Sequence, residues 1–265
     1  MKRDEYLRQP EVKEFIKWLS ARFEEPNSFC HSWNSMKPRT SFASSSLWDA
    51  HAKYEWKGSF AETEQKLAHW SEELQGAADA NDTPSVLQTI STVGRWGGIG
   101  GTTPESIDAF VRGLPRARQI LNPAHGDTSR VDDVAMSALF SKVYRLLISD
   151  FPIYDSRVAA ALGYCVRLFL EDSSRGNVPP TLAFGWAPGR DRKDGSSPLR
   201  NPSTAGLAFP RMSGKGVHAR SNLMAAWLFR ELADLPCFGV LDETWRTDAV
   251  QSAFFMVGYD LTPAK

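Results

Sequence analysis

The sequence lacks the residue patterns that mark most metal-dependent and disulfide-stabilised proteins. Its three cysteines, Cys30, Cys165 and Cys237, are odd in number and include no CxxC pair, so we predict neither a disulfide framework nor a zinc site. No two histidines lie four residues apart, and no HExxH pattern occurs. The histidines are His31, His51, His69, His125 and His218. We therefore expect no metal and no other cofactor.

Long apolar runs are also absent. Nowhere do roughly eighteen apolar residues follow one another, and the first fifteen residues, MKRDEYLRQPEVKEF, contain no apolar run after their basic residues. We therefore expect a cytoplasmic protein that makes no membrane contact. A chain of 265 residues can bury a full core. We predict a single unit over 1–265, with an N-terminal helical part (1–125) and a second helical part (126–265) that carries the candidate site.

The chain has no net charge, because 31 basic residues balance 31 acidic ones. This balance argues against a surface coated in positive charge for non-specific nucleic-acid binding. Residues 186–230 nevertheless carry eight basic side chains and only two acidic ones, so they form either a site for an anionic partner or a solvated loop. The basic residues are Arg190, Arg192, Lys193, Arg200, Arg211, Lys215, Arg220 and Arg230.

Helical periodicity dominates the remaining sequence. Apolar residues recur at spacings of three and four, which places them on one helix face, and threonine followed by proline marks two helix starts. The predicted helices cover 12–23, 59–74 and 83–93, a segment that starts at Thr103, a segment that starts at Asp132 or Asp133, and then 156–171 and 219–232. We predict an all-α protein.

Three segments without a steady period are predicted as loops. Residues 26–46 are rich in Ser, Asn and Pro and carry three aromatic residues, so we predict a long aromatic loop there. The glycine-rich segment 94–101 is followed by neither GKS nor GKT, so we predict a tight turn around Trp96 rather than a phosphate loop. Residues 178–216 are predicted to be irregular, with a short strand over 181–184 as one option.

One lysine and one aspartate, thirteen residues apart, are the best candidates for chemistry. Lys142 lies among the apolar residues of a predicted helix, where burial would lower its pKa and favour the neutral amine that attacks an electrophilic carbon. Asp155 precedes the next helix, whose N–H groups and dipole would keep it ionised and oriented. Taken singly, each residue also fits a plain structural role, the lysine as a solvated helix residue and the aspartate as a cap.

The segment SKVYRLLISDFPIYDSRV, residues 141–158, resembles the core of DNA glycosylases with the 8-oxoguanine glycosylase fold, a branch of the helix-hairpin-helix glycosylases. In that family a lysine starts one helix and an aspartate caps the next. Lys142 and the run FPIYDSR, residues 151–157, carry the likeness, which covers residues 131–170. The resemblance implies a helix-hairpin-helix glycosylase-like fold with long aromatic and basic loops.

The resemblance also implies roles for the two residues. Lys142 would attack the anomeric carbon of a flipped-out nucleotide and form a Schiff base, while Asp155 would stabilise the oxocarbenium-like state or activate the lysine. The sequence departs from the family in two respects. MSALF (136–140) stands where a glycine-rich hairpin is expected, and the spacing from lysine to aspartate is shorter than in the best-known members. Base excision is therefore a firmer expectation than strand cleavage.

Aromatic residues supply candidates for base binding, because an indole face can stack on a flipped base or on a sugar. The candidates are Trp33, Trp96, Trp186 and Tyr154. A large aromatic pocket could accept a base that bears a sugar, such as glucosylated hydroxymethylcytosine of phage DNA, which would suit a role in antiviral defence. An 8-oxoguanine-type repair glycosylase/lyase is the alternative substrate assignment.

The expected partner is double-stranded DNA that carries a modified base, bound by a monomer. The candidate DNA-binding residues are Arg157, Arg190, Arg192, Lys193, Arg211, Lys215 and Arg220. Such contacts to phosphates position a duplex without reading its sequence. Two other readings of the chain stay open, a catalytically silent helical DNA-binding module and a helical partner-binding protein that does not bind nucleic acid.

Overall fold

The protein is mostly helical in a computed structural model that describes residues 1–36, 39–80, 82–99, 103–190 and 197–262. Short 3₁₀ turns connect several helices, over Thr128–Asp133, Pro180–Leu182, Pro236–Val240 and Glu243–Trp245. The α-helices are α1 (Arg3–Leu7), α2 (Pro10–Glu24), α3 (Leu47–Ala52), α4 (Phe60–Asp79), α5 (Thr83–Trp96), α6 (Pro104–Leu121), α7 (Ala138–Leu147), α8 (Ser156–Asp172), α9 (Val217–Ala233) and α10 (Arg246–Val257). None of the helices in these stretches is long and apolar enough to cross a bilayer.

Helices α8, α9 and α10 form the centre of the fold. Helix α10 packs against α3, α8 and α9, and the N-terminal helix α2 covers α8 and α9 from another side. Trp227 of α9, which is fully buried, donates its indole N–H to the carbonyl of Pro123 and so ties this centre to the loop after α6. The core is therefore continuous from the N-terminal helices to the last one.

Several predicted helices are confirmed, and the sequence explains where they begin. The helix predicted from Thr103 is α6, in which Thr103 is the N-cap and Pro104 takes the first position. The helix predicted over 156–171 is α8, whose N-cap is Asp155. The helix predicted over 59–74 is α4, which starts with a capping box formed by Ser59 and Glu62 and continues to Asp79.

The predicted start of the lysine-bearing helix is wrong. Residues Thr128–Asp133 form a separate 3₁₀ turn, and α7 begins only at Ala138. The Ser137 hydroxyl accepts the backbone N–H of Phe140 at 3.1 Å, as an N-cap does, and its extended backbone separates the two elements. A serine cap five residues downstream therefore replaces the aspartates as the helix start.

The long aromatic loop predicted over 26–46 is a β-hairpin. Strand β1 (His31–Met36) pairs antiparallel with β2 (Arg39–Ser44) in a two-stranded sheet. Trp33 faces Phe42 across the strands with ring centroids 5.2 Å apart, and its indole N–H donates to the carbonyl of Met256. The hairpin depends on this distant contact with α10, which a local pattern does not reveal.

Two other predictions concern the segments around α9. The strand proposed over 181–184 is a 3₁₀ turn, while the rest of 178–216 is irregular in the described residues, apart from a single bridge between Trp186 and Arg211. Helix α10 was not predicted, because it is buried almost all round and shows no polar stripe. The periodicity that reveals a surface helix is absent from a central one.

Helix α10 meets α8 through a glycine at its C-cap. A Cβ at Gly258 would lie 1.8 Å from the carbonyl oxygen of Arg157 and 3.1 Å from the backbone nitrogen of Ala161. Both atoms belong to the backbone of α8, so neither can move aside without moving the helix. Only glycine permits this approach, which sets the position of α8 and its N-cap.

We predict that Gly258→Ala lowers the free energy of unfolding by about 1–3 kcal/mol, because the added methyl group overpacks the helix contact. Gly113→Ala is the matched control, since nothing lies within 4 Å of a Cβ at that position in α6. There the change should raise the free energy by about 0.5–1 kcal/mol through the better helix propensity of alanine. Urea unfolding of both variants measures the difference, and equal effects would contradict the packing explanation.

Candidate active site

Lys142 and Asp155 lie together at the wall of a partly open cavity. Lys142 is in the second turn of α7, and Asp155 is the N-cap of α8. The Lys142 Nζ atom is 3.8 Å from Asp155 Oδ2, and the side chains are 7% and 17% exposed, respectively. This ion pair is loose, and among the described residues Nζ donates one hydrogen bond, at 3.4 Å, to the carbonyl of Ala138. The amine is thus shielded from solvent but weakly held.

Burial is the largest influence on the lysine. Removal from water lowers the pKa of Lys142, the charge of Asp155 opposes this change, and the nearby cations Arg157 and Arg190 reinforce it. The net effect is a pKa below the usual value for a lysine. The neutral amine, which is the nucleophilic form, is therefore more accessible for Lys142 than for an exposed lysine.

For Asp155, burial and the neighbouring positive charges act on the pKa in opposite directions, and the net effect is a lower pKa. Burial alone would raise its pKa, but the charges of Lys142, Arg157 and Arg200 and the backbone N–H of Arg157 hold the pKa below the usual value. Its Oδ1 atom accepts the N–H groups of Arg157 at 2.9 Å and Val158 at 3.3 Å. Asp155 is therefore an ionised carboxylate with one oxygen fixed by α8 and the other, Oδ2, turned toward Lys142.

A buried hydrogen-bond clamp holds α7 and the start of α8 in register. The Tyr154 backbone N–H donates to the hydroxyl of Ser141 at 2.7 Å, and Asn222 of α9 donates to the same hydroxyl at 3.0 Å. His218 Nε2 lies 2.8 Å from the carbonyl of Tyr154. Because Ser141 precedes Lys142 and Tyr154 precedes Asp155, the clamp fixes the two candidate catalytic residues relative to each other.

The cavity beside the pair has a volume of about 400 Å³. Its described wall combines charged residues from α4, α7, α8 and α10 with an aromatic side, and residues 97–99 close one end. The polar and charged lining includes Thr63, Glu64, Lys142, Asp155, Ser156, Arg157, Arg190, Arg200, Asp248, Gln251 and Ser252, and the aromatic lining is Tyr54, Trp56, Phe60, Trp96, Phe255 and Tyr259. Such a mixture of apolar walls and a few polar groups is typical of small-molecule sites.

Arg157 lies within the aromatic side of the cavity. Its guanidinium carbon is 4.4 Å from the ring centroids of both Trp56 and Phe255, and 5.0 Å from that of Tyr259. Trp33 packs behind this wall with its ring 4.2 Å from Tyr259, and it is not among the described residues that line the cavity. Trp33 of the hairpin therefore supports the aromatic wall from behind.

The glycine-rich segment closes the cavity over the lysine. Helix α5 runs through Trp96, so the expected tight turn lies after this residue, at Gly98 with φ +64°. A Cβ at Gly97 would be 2.8 Å from Lys142 Cε, and the Arg190 guanidinium donates to the carbonyl of Gly98 at 2.5 Å. The glycines thus allow the chain to pass close to the lysine side chain.

Besides Trp33, two further candidate base-binding residues lie outside the described lining of the cavity. Tyr154 is fully buried, and its hydroxyl donates to the carbonyl of Gly185. Trp186 is also buried and donates its indole N–H to the carbonyl of Phe209, while Arg211 stacks on its ring at 4.2 Å. Trp96, by contrast, lines the cavity.

The candidate DNA-binding cations divide into two groups. Arg157 and Arg190 line the cavity, whereas Arg211 and Lys215 are exposed and Arg220 is partly exposed. Lys215 is 3.8 Å from Asp133, and Arg220 is 3.1 Å from Asp132, so acidic neighbours accompany both of these surface cations. The remaining two candidates, Arg192 and Lys193, lie outside the described residues.

Sequence reasoning missed a second charged group in the cavity wall. Glu64, Arg145 and Asp248 come from α4, α7 and α10 and form one ion-pair cluster. In the sequence, this cluster is indicated only by a charged residue on an otherwise buried helix face. Helix α10, which carries Asp248, was not predicted. Elsewhere in the described chain, no three His, Cys, Asp or Glu side chains are grouped to hold a metal ion.

Comparison of the chain with protein-family models, with curated proteins and with solved structures finds no match in any of the three. The likeness to DNA glycosylases therefore stays a prediction from the sequence of residues 131–170.

The buried histidine of the clamp makes stability depend on pH. Burial lowers the pKa of His218 to about 4, below its unfolded value of 6.5. The unfolded chain therefore binds the proton first, and stability is lost as the pH falls from about 6.5 to about 4. In wild type, protonation of His218 lowers the free energy of unfolding in acid. We predict that this decrease is smaller by up to about 3 kcal/mol in His218→Gln.

Urea unfolding at pH 7 and pH 4.5 measures the effect as a difference between variants. The exposed His69 supplies the control, His69→Gln, which should keep the wild-type pH dependence. An unchanged acid-dependent loss in His218→Gln would disprove the assignment of this histidine as a neutral donor.

Proposed function

We propose that this protein is a DNA glycosylase that excises a modified base through Lys142 and Asp155. The observation that carries the proposal is the buried, loosely held pair of an amine and a capped carboxylate at the wall of a cavity with an aromatic side. A purely structural ion pair would gain from direct hydrogen bonds, whereas this one is 3.8 Å long and lines the cavity. An amine with a lowered pKa in a cleft is a functional candidate on physical grounds.

In the proposed reaction, the neutral Lys142 amine attacks C1′ of the extruded nucleotide. A bond forms between Nζ and C1′, the N-glycosidic bond breaks, and its electron pair leaves with the base. Opening of the sugar ring then gives a Schiff base, which water hydrolyses to leave an abasic site. A base inside the duplex stack is out of reach, so the nucleotide must first be flipped into the cavity.

Asp155 would stabilise the positive charge that develops on the sugar ring. Its Oδ1 atom is fixed by two N–H groups at the start of α8, and Oδ2 is on the Lys142 side. The carboxylate therefore need not move during the reaction, as electrostatic preorganisation requires. It would also attract a proton from the attacking amine, because Oδ2 is close to Nζ.

The cavity supports a large modified base as substrate. Its volume of about 400 Å³ falls within the roughly 300–1,000 Å³ of pockets for drug-sized ligands, so it can hold more than an unmodified base. Trp56, Phe255 and Tyr259 form an aromatic wall on which the C–H groups of a sugar can lie. A base that bears a sugar, such as glucosylated hydroxymethylcytosine of phage DNA, is the substrate we propose, and antiviral defence is the corresponding role.

DNA contacts in this proposal come from the basic residues near the cavity and on the surface beside it. Arg190 and Arg157 would face the extruded nucleotide, while Arg211, Lys215 and Arg220 would contact backbone phosphates. A phosphate would have to replace the present acidic neighbours of Lys215 and Arg220. Affinity from such contacts falls as the salt concentration rises.

Release of free base from a panel of duplexes tests the proposal. The panel contains one modified base per duplex, including 8-oxoguanine and hydroxymethylcytosine with and without glucose. Release from the glucosylated duplex alone supports the sugar-bearing substrate, and release from 8-oxoguanine alone supports a repair glycosylase. Binding to duplexes without release of any base would support a silent DNA-binding module.

We predict that borohydride traps wild-type protein on substrate DNA and that Lys142→Ala abolishes the covalent adduct, because the amine that would form the Schiff base is missing. Lys17→Ala removes an exposed lysine of α2 and should trap like the wild type. Gel electrophoresis of labelled DNA measures the adduct. Trapping that persists in Lys142→Ala would assign the nucleophile to another residue.

We predict that Asp155→Asn lowers the rate of base release by about 10²–10⁴-fold, within the range reported for loss of one catalytic electrostatic or acid–base group. Asparagine caps helices as well as aspartate does, so the fold should persist while the charge is lost. Single-turnover kinetics measures the rate, and thermal unfolding reports the fold. A variant with normal activity would reduce Asp155 to a helix cap.

A further inference from the structure

Glu64, Arg145 and Asp248 form a buried cluster at the cavity wall, apart from the pair of Lys142 and Asp155. The Arg145 guanidinium donates from Nε to Asp248 Oδ1 at 2.7 Å and from Nη2 to Asp248 Oδ2. The same Nη2 donates to Glu64 Oε2 at 3.1 Å. Glu64 and Asp248 are each 4% exposed, and both line the cavity.

The cluster holds two carboxyl groups for one guanidinium. From the elements around Glu64, the charged and titratable groups are Arg145 of α7, Asp248 of α10 and the phenol of Tyr54. Lys142, Asp155 and Arg157 line the same cavity, but Lys142 is paired with Asp155, and Arg157 is surrounded by aromatic rings. A fully ionised cluster would therefore bury one uncompensated negative charge, which is costly in such a site.

A single bound proton removes this excess charge, and the geometry places it on Glu64. Arg145 donates two hydrogen bonds to Asp248 in a fork arrangement and one to Glu64, so the guanidinium compensates Asp248 more fully than Glu64. Burial, followed by the charge of Asp248, raises the pKa of Glu64 well above its usual value. Both the hydrogen bonds and the raised pKa favour the protonated form of Glu64, which lines the same cavity as the Lys142 amine.

We propose that Glu64 donates its proton to the base bound in the cavity and so makes it a better leaving group. The inference rests on the proposed glycosylase function and adds a general acid to the nucleophile and the stabilising carboxylate. Its ligand is a heterocyclic base that presents a ring nitrogen or a carbonyl oxygen to the carboxyl group. The acid and the amine line the same cavity, so in this proposal a bound nucleotide meets Glu64 with its base and Lys142 with its C1′ atom.

In this step the O–H bond of Glu64 breaks and the proton goes to the ring nitrogen or carbonyl oxygen of the base. The N-glycosidic electron pair moves into the base ring, while Nζ of Lys142 bonds to C1′. The base leaves neutral, and Glu64 becomes a carboxylate that retains its hydrogen bond from Arg145. Positioned general acids contribute typically about 10²–10⁴-fold to rates.

The variant Glu64→Gln tests the acid without removing the contacts of the side chain. The side-chain amide of glutamine can still accept a hydrogen bond from Arg145 and donate one to Asp248. It cannot act as an acid, however, because it does not give up a proton in the pH range of the assay. We expect single-turnover base release to fall about 10²–10³-fold. The wild-type rate should decline as the pH rises through the raised pKa of Glu64, and this alkaline decline should vanish in Glu64→Gln.

Two measurements separate this inference from failure of the fold and of the proposed function. The first measurement is binding to a duplex that contains a tetrahydrofuran abasic analogue. This duplex has no base to protonate, so Glu64→Gln should bind it with the same affinity as the wild type. The infrared spectrum at neutral pH should contain a protonated-carboxyl band that Glu64→Gln lacks. Glu72→Gln, at an exposed position of the same helix, should leave both readouts and the rate unchanged.

Each outcome has one meaning. Loss of tetrahydrofuran-duplex binding in Glu64→Gln, or a carboxyl band that survives the substitution, would overturn the inference in favour of a structural glutamate. Wild-type rates in Glu64→Gln would overturn it as well. A carboxyl band that disappears as expected, with no base released by wild type from any duplex, would instead overturn the proposed function and with it the catalytic role.

Discussion

The hydrogen bond from the Tyr154 backbone N–H to the Ser141 hydroxyl determines the geometry of the site. It joins the residue before Lys142 to the residue before Asp155 across the turn between α7 and α8. Asn222 and His218, both on α9, complete its surroundings, so the distance between the amine and the carboxylate is set by three helices at once. An ion pair of 3.8 Å can persist in this clamp without direct contact, because the backbones on both sides are fixed.

The electrostatics of the cavity differ from those of the whole chain. The chain has no net charge, yet Lys142, Arg157, Arg190 and Arg200 all line the space around the single carboxylate of Asp155. The two acidic groups of the second cluster are neutralised by Arg145 and, in our proposal, by one proton. A local excess of positive charge in a low-dielectric cleft attracts an anionic substrate more than a uniformly basic surface would.

The sequence predicts the features of the fold and of the site that depend on a few neighbouring residues, and it does not predict those that depend on distant contacts. The cap of α8 at Asp155 and the cap of α6 at Thr103 follow from short motifs, and both were predicted. The hairpin was not, because Trp33 is held by Tyr259 and by the Met256 carbonyl, more than two hundred residues away. The candidate pair was found through its helix positions, whereas Glu64 becomes visible only when α4, α7 and α10 are packed together.

The length of the ion pair also bears on reactivity. Two unit charges 3.8 Å apart attract each other by about 4 kcal/mol at an effective dielectric constant of about 20, and this attraction by itself favours the ammonium form of Lys142. The pKa of Lys142 is nevertheless lowered, so burial and the repulsion from Arg157 and Arg190 together exceed this attraction. A shorter, hydrogen-bonded pair would shift the balance toward the ammonium ion. The 3.8 Å distance between the two charged groups therefore suits the proposed mechanism, in which the amine must be neutral before it attacks.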